Sequence, residues 1–301
     1  MNKKLTFSVL LSSLGIMAFA AGPTDPVSLE LKTTPGTKTT LVFSDNTTTS
    51  MSMMGQDMNM ASSNTSEYTL EAKKDSAGLK SFVVVLKSAQ KSVDQMGTKI
   101  EINTADPKAD TTSEPAGSLT KFYKNLVGNP YTVYFNKSGK VASTSGAKEI
   151  YKNAASKLDL TGPMAQLKTM VSETILTTDL DKAFDYYPGR SLQVGEKWER
   201  TDTVSSNGMP MHFSTRYILD KVEGDVATIK ANSIISFDGD MESVPGATAK
   251  IMGTVVGNFK VNTTTGLMVS STGDIDMEIK LNANGMDIPM KVSSKATITA
   301  K

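Results

Sequence analysis

Residues 274–295, DIDMEIKLNANGMDIPMKVSSK, decide the fold class, because they contain two alternating strands and the turn between them. Asn284-Gly285 is typical of a two-residue type I′ hairpin turn. In that register Asp274 lies opposite Lys295, and Glu278 lies opposite Lys291, on one face. A slip of one residue would destroy the pattern on both faces, so we predict an antiparallel hairpin. The other face carries the apolar pairs Met277–Val292, Ile279–Met290, Leu281–Ile288 and Ala283–Met286.

A second hairpin is predicted around Asn207-Gly208, another type I′ signal. Its register places Glu199 opposite Arg216 on one face. Asp202 lies opposite Phe213 and interrupts an otherwise apolar second face. The apolar pairs of that face are Val204–Met211 and Trp198–Tyr217.

Methionine is concentrated beside turn signals, above all in residues 51–60, MSMMGQDMNM, among 18 Met in the chain. If Gly55-Gln56 forms a type II′ turn, Met53 faces Met58 and Met51 faces Met60. All four thioethers then lie on one face of a ribbon. Gly55 could instead begin a longer loop.

Three parts of the chain follow one another. Residues 38–104 have strand patterns, residues 115–187 have helical patterns around one hairpin turning at Lys137-Ser138-Gly139, and residues 192–301 return to about six strands. We therefore expect an α+β fold: a mainly antiparallel, curved, half-barrel-like sheet with a few helices packed on one face. Residues 38–301 form a single domain in this interpretation, after a flexible segment at 21–37.

Three amphipathic helices are predicted within residues 115–187. Each aligns apolar residues on one side: Leu119, Phe122 and Leu126 in the first; Ile150, Ala154 and Leu158 in the second, from about Ala147; Met164, Leu167, Val171 and Ile175 in the third, from Pro163.

The start of the chain predicts export. Lys3-Lys4 precede an apolar run at 5–20 that ends in Ala18-Phe19-Ala20, which is typical of a signal peptide cleaved after Ala20. No later stretch is apolar and long enough for a transmembrane anchor. The chain has no Cys, which excludes disulfides, thiolate metal sites and lipidation of a cysteine. A bacterial periplasmic, cell-surface or secreted location is expected.

Charge balance disfavours nucleic acid as a partner. Without the two lysines of the signal peptide the chain has 30 basic and 31 acidic residues, and no basic stripe occurs.

No catalytic residues are expected, because the chain lacks a nucleophile motif and has a single histidine, His212. Asp181 and Asp185 could serve acid–base chemistry in principle, but a solvated helix face explains them better. Asp274, Asp276 and Glu278 imitate the start of a calcium loop without its turn glycine or terminal glutamate.

The methionines allow three functional hypotheses. Thioethers suit a loosely specified apolar ligand such as a lipid, or a second envelope protein, and such a ligand site is our main hypothesis. Alternatively, Cu(I) could be held by thioethers, with no other cofactor expected. In the third hypothesis the methionines only pack in a structural core. The predicted ligand-binding residues are Met51, Met53, Met58, Met60, Met209, Met211, Met277, Met286 and Met290, and the copper alternative uses Met51, Met53, Met58 and Met60.

Three segments resemble a family of uncharacterised exported bacterial proteins, a domain of unknown function. They are PGRSLQVGEKW at 188–198, YTVYFNKSGKV at 131–141 and MMGQ at 53–56. The resemblance implies no activity. It implies an architecture similar to the lipoprotein carriers, in which a half-closed antiparallel sheet cradles helices and binds acyl chains.

Overall fold

The computed structural model describes residues 25–53, 56–95, 98–109, 111–112, 114–158, 173–206, 209–241, 246–283 and 285–301. The predicted signal peptide, the turn residues at 54–55 and 207–208, and most of the predicted third helix lie outside these ranges. Strands make up 63% of the described residues, and the main sheet is open and antiparallel. The predicted α+β class with a curved sheet is therefore confirmed.

The strands are long and alternate polar with apolar side chains, as a sheet with one covered face requires. Their bounds are β1 Val27–Ser28, β2 Lys38–Met53, β3 Gln56–Ala72, β4 Lys80–Gln95, β5 Thr98–Asn103, β6 Pro130–Phe135, β7 Val141–Ser145, β8 Ser191–Leu192, β9 Lys197–Ser206, β10 Met209–Glu223, β11 Val226–Asp240, β12 Ala247–Asn262, β13 Met268–Ala283 and β14 Met286–Ala300.

Helical structure lies between β5 and β8, namely α1 Ala116–Leu126, α2 Ala147–Ala155, a 3-10 helix Glu173–Leu176, and α3 Thr178–Phe184. α1 buries the predicted Leu119, Phe122 and Leu126. α2 ends before Leu158, which packs on the core from beyond the helix. Ile175, expected in a third α-helix, lies in the 3-10 helix. Within the described ranges, no helix combines the length and apolar character needed to cross a bilayer.

Twelve strands form one sheet in the order β7-β6-β4-β3-β2-β14-β13-β12-β11-β10-β9, with β5 added beside β4. The N-terminal and C-terminal halves of the chain therefore meet where β2 pairs with β14. β1 and β8 form a separate two-stranded ladder.

Both predicted hairpin registers are confirmed. Across β13 and β14, Asp274 pairs with Lys295, Glu278 with Lys291, and Ile279 with Met290. Across β9 and β10, Trp198 pairs with Tyr217, and their rings stack with centroids 5.1 Å apart.

The predicted register of the methionine ribbon is wrong by two residues. Met53 pairs with Gln56, Met51 with Met58, and Thr49 with Met60. Gln56, which the sequence places in the turn, begins β3 instead, and Gly55 lies outside the described residues. Because strand side chains alternate with period two, the shift leaves all four methionine positions on one face.

The core lies at one end of the sheet, on the face that carries the helices, which we call the inner face. Phe82 on β4, Phe135 on β6 and Phe184 on α3 are fully buried and pack ring against ring. Leu70 and Val84 are also inaccessible to solvent. A smaller cluster, Phe237, Ala249 and Ile251, occupies the inner face at the other end of β11 and β12.

The two edges of the sheet meet through side chains. Arg200 on edge strand β9 donates to the carbonyl oxygen of Ser138, in the β6–β7 turn, at 3.1 Å. Lys140 of the same turn contacts Asp202 on β9. The sheet therefore curls around the helices until its first and last hairpins touch. Asp202, which interrupted an apolar face in the sequence pattern, serves this contact.

Candidate ligand-binding trough

A row of small residues crosses the inner face of four central strands. Ala231 pairs with Gly257, Gly257 with Gly273, and Gly273 with Ala296. A Cβ added at Gly273 would meet only a side-chain atom of Val255, at 4.0 Å. The sheet therefore leaves space above Gly273, where an ordinary core residue would project, whereas a Cβ added at Gly257 would lie 3.2 Å from the ring of Phe259.

That space is a cavity of ≈ 510 Å³ between the small-residue row and α3. Phe43, Phe259 and Ile275 contribute to its apolar walls. Hydroxyls on the inner face are paired across strands, since Thr47 Oγ1 donates to Ser294 Oγ at 2.8 Å, so the wall presents few unsatisfied polar groups. We call this cavity, together with the inner face running from it to the methionines, the trough.

Asp185, at the end of α3, sits at one side of the cavity. Burial raises the pKa of its carboxyl, and the Arg200 guanidinium 2.5 Å away partly opposes the rise. Asp181, one turn earlier, accepts the backbone N–H of Val141 at 2.8 Å, and burial raises its pKa too. The expectation that both aspartates form a solvated face is therefore wrong: they anchor α3 to β7 and β9.

A polar row lies beside the cavity on β2, β3 and β4, where Asp45 pairs with Asn64 and Asn64 with Lys91. These residues line a second cavity of ≈ 360 Å³. The two cavities share Asp45 and, from α3, Asp179 and Lys182. The trough thus has a charged end under α3 and an apolar remainder.

The predicted methionines gather at the opposite end of the trough. Ile279 pairs with Met290, Met290 with Met51, and Met51 with Met58, so three methionines occupy adjacent strands in one row. This row continues through Ile251 to Phe237. Met60 and Met277 belong to the next row toward the cavity, and Met277 also lines the cavity.

The other predicted methionines are distributed differently. Met209 and Met211 pack, with Met277, on the cluster of Phe237, Ala249 and Ile251. Met286, beside the β13–β14 turn, is 44% exposed and contributes least to the trough. Met53 takes its place in the ladder opposite Gln56, and its side chain lies outside the described part of the structure.

The other residues considered for catalysis or metal binding make ordinary cross-strand contacts. His212 lies opposite Thr203 as predicted, and its Nδ1 is 3.0 Å from the Thr203 hydroxyl. Asp274 and Glu278 lie on the exposed outer face, within ion-pair distance of Lys295 and Lys291. Among the described residues, no group of three or more His, Cys, Asp or Glu side chains gathers to hold a metal ion.

Sequence reasoning missed the small-residue row and the polar row. Glycines at inward positions of otherwise regular strands, such as Gly257 and Gly273, were a usable signal, because glycine inside a strand marks space or close approach. Lys91 had no such signal, since an alternating strand pattern accommodates a lysine on either face.

A solved structure is similar to this chain in fold. A structure reported for lipid–protein interactions in lipovitellin aligns with this chain at a TM-score of 0.50 and 7% sequence identity. The alignment covers 89% of this chain but only 25% of the lipovitellin chain. DynF from the dynemicin pathway of Micromonospora chersina aligns with TM-score 0.22 and 7% identity, covering 95% of this chain and 92% of its own. No curated protein matches the sequence.

The family comparison agrees with the resemblance described from the sequence. The model of a family of unknown function, DUF6263, matches residues 77–268. That segment runs from the turn before β4 to the start of β13 and includes α1, α2 and α3, the polar residue Lys91 and Gly257 of the small-residue row. The chain therefore belongs to the Family of unknown function (DUF6263).

Proposed function

We propose that this protein is an exported, non-enzymatic cell-envelope protein that binds a lipid-like apolar ligand in the trough. The observation that carries the proposal is the cavity of ≈ 510 Å³ above the small-residue row. Its volume falls within the roughly 300–1,000 Å³ range of small-molecule sites, which are mostly apolar with a few placed polar groups.

The dimensions of the trough suit an acyl chain. Asp45 and Met51 are six residues apart on β2, which is roughly 20 Å at ~3.3 Å per strand residue. One leaflet of a bilayer is roughly 15 Å of hydrocarbon, half of the ~30 Å core. A single chain from a membrane lipid therefore fits between the charged end and the methionine row.

Methionine suits the far end of such a site. The Met290, Met51 and Met58 side chains are partly buried, and unbranched thioether side chains repack around ligands of different shape. Lipovitellin, studied for its lipid–protein interactions, is similar in fold to this chain. At 7% identity that likeness concerns architecture, so the proposal depends on the trough.

Native mass spectrometry of protein purified from its own envelope tests the proposal. We expect a bound lipid-like mass that is lost on organic extraction, after which the neutral dye Nile red should bind with increased fluorescence. A bare protein mass together with no Nile red binding before or after extraction would contradict the proposal.

Copper is the second candidate, supported by the row Met290, Met51 and Met58. Neighbouring strands lie ~4.8 Å apart, so three thioethers on one face are within reach of one soft ion such as Cu(I).

Replacing Met290, Met51 and Met58 with Leu tests the copper site, because leucine keeps the apolar volume and removes the thioethers. The triple variant should lose Cu(I) in a competition titration and keep Nile red, whereas Met252→Leu, on the outer face, should change neither. Equal Cu(I) affinity in all three proteins would reject this candidate.

A further inference from the structure

The polar row at the charged end of the trough is a connected set of side chains. Lys91 Nζ donates to Asn64 Oδ1 at 2.6 Å, and Asn64 Nδ2 donates to Asp45 Oδ1 at 3.1 Å. The Lys91 ammonium also lies over the ring of Tyr123 on α1, 5.3 Å from its centroid. The amide of Asn64 therefore separates the lysine from the aspartate and holds both in place.

The charge of Lys91 is incompletely balanced. The Asp45 carboxylate accepts a hydrogen bond from Asn64, and the Asp179 carboxylate lies 3.6 Å from the Lys182 ammonium. In the part of the chain that the structure describes, Lys91 makes no ion pair of its own. Burial lowers the pKa of the Lys91 ammonium even though Asp179 and Asp45 oppose the shift. The two carboxylates therefore do not fully replace the lost hydration of the cation, and the nearby Lys182 adds repulsion.

This cation lies beside the space that the proposed ligand would occupy. Lys91 lines the cavity of ≈ 360 Å³, which shares Asp45, Asp179 and Lys182 with the larger cavity. A chain lying along the trough would place one end beside Lys91 and the other among the methionines. An ammonium has three donors, and only one of those of Lys91 is used by Asn64.

We infer that Lys91 binds the anionic head group of a single-chain amphiphile whose tail lies in the trough. The inference rests on the proposed lipid-binding function and adds the ligand's charge and orientation to it. A carboxylate or phosphate oxygen would accept a charge-assisted hydrogen bond from Lys91 Nζ, and it would supply the counter-charge that the partly buried ammonium lacks. Lys182, at the rim on α3, would add a second, more exposed cation.

Displacement of Nile red from extracted protein tests the inference with paired ligands. Palmitate carries the anion, and the alcohol of the same chain length lacks it. Acetate carries the anion without the tail. Lys91→Met removes the ammonium and keeps most of the side-chain stem. Lys87→Met makes the same change at an exposed position of β4.

We expect the unchanged protein to bind palmitate about tenfold or more tightly than the alcohol, as a hydrogen bond to a charged group implies. K91M should lose this preference while still binding the alcohol, and K87M should keep it. Acetate should displace no dye at the same concentrations. Equal affinity for palmitate and alcohol in the unchanged protein, or a preference that survives in K91M, would overturn the head-group assignment alone. Failure of both long-chain ligands to displace Nile red would overturn the proposed function as well.

Discussion

At the scale of single residues, Gly273 has the largest consequence for the trough. It is an inward-facing position with no side chain, in a row whose other members are also glycine or alanine. Apolar residues at the neighbouring inward positions, Ile275 and Met277, line the same cavity. The absence of one side chain in the middle of β13 therefore helps to create the binding space.

Filling that space should weaken ligand binding. Gly273→Leu places a side chain where an added Cβ meets only one atom, at 4.0 Å, so the strand should tolerate it. If the variant buries two fewer ligand CH₂ groups, at ~0.8 kcal/mol each, the affinity for Nile red or palmitate falls about tenfold. Thr299→Leu, exposed on the outer face of β14, is the matched control. Unchanged affinity in G273L would place the ligand elsewhere.

Lys91 should produce a pH-dependent difference in stability. Burial lowers its pKa below the ordinary value of 10.5, with Asp45, Asp179 and Lys182 as the charged groups around it. The folded state then binds the proton more weakly than the unfolded state, so the charged form costs stability at neutral pH. That cost is relieved as the pH rises through the folded-state pKa toward 10.5.

The free energy of unfolding of the unchanged protein should therefore increase relative to that of K91M as the pH rises from neutrality toward 10.5. Denaturant unfolding across this range measures the difference. Buried tyrosines away from Lys91, such as Tyr186, have a pKa raised by burial and contribute equally in both proteins. A constant difference would show that the lysine is not desolvated.

At the scale of elements, the β6–β7 turn joins the edges of the sheet. Gly139 in this turn has φ +86°, and a Cβ there would overlap the carbonyl oxygen of Phe184 at the end of α3. Close backbone approach lets Arg200 and Asp202 on β9 reach the same turn. One glycine therefore brings β7, α3 and β9 together at the side of the trough.

Gly139→Ala should lower the free energy of unfolding by about 3 kcal/mol or more, because it combines backbone strain with a forced displacement of α3. Gly78→Ala is the control, since Gly78 also has positive φ but nothing near the added atom. That control should cost only about 1–2 kcal/mol. Equal losses in the two variants, measured by chemical denaturation, would contradict a packed contact between the turn and α3.

At the scale of the whole molecule, one sheet serves two purposes. Its inner face carries a dense core with the helices at one end, where Leu70 and Val84 are fully buried. The same face continues into the trough, where Met51 and Met58 are only partly buried. Long strands such as β2 and β3 run through both regions. The packed core therefore holds the strands in place while the methionine end of the trough stays less tightly packed.

Hydrogen exchange should reveal this division. Backbone amides around Leu70 and Val84 should exchange slowly, whereas those around Met51 and Met58 should exchange faster, because fewer contacts hold that end. Palmitate should slow exchange at the methionine end and leave the core unchanged. In G273L the same ligand-dependent change should require about tenfold more palmitate. Uniform protection along β2 and β3, with or without ligand, would contradict two functionally distinct ends.

Local sequence determined much of this fold. The Asn-Gly turns and the alternation of charged with apolar residues specified the registers of the β9–β10 and β13–β14 hairpins, because a slip would move every side chain to the wrong face. Amphipathic spacing similarly located α1 and the start of α2. The Met51–Met60 ribbon was predicted on the right face in the wrong register, since one glycine near a turn allows more than one turn position.

The trough is formed only in the tertiary structure and has no local sequence pattern. The small-residue row joins positions from β11 to β14, and the polar row joins Asp45, Asn64 and Lys91 from three strands. These alignments depend on strand order and on register shifts, such as the one between Glu67 and Tyr68 in β3. Neither is encoded by a short-range pattern. Alternation tells which residues share a face, and only the assembled sheet determines which of them become neighbours.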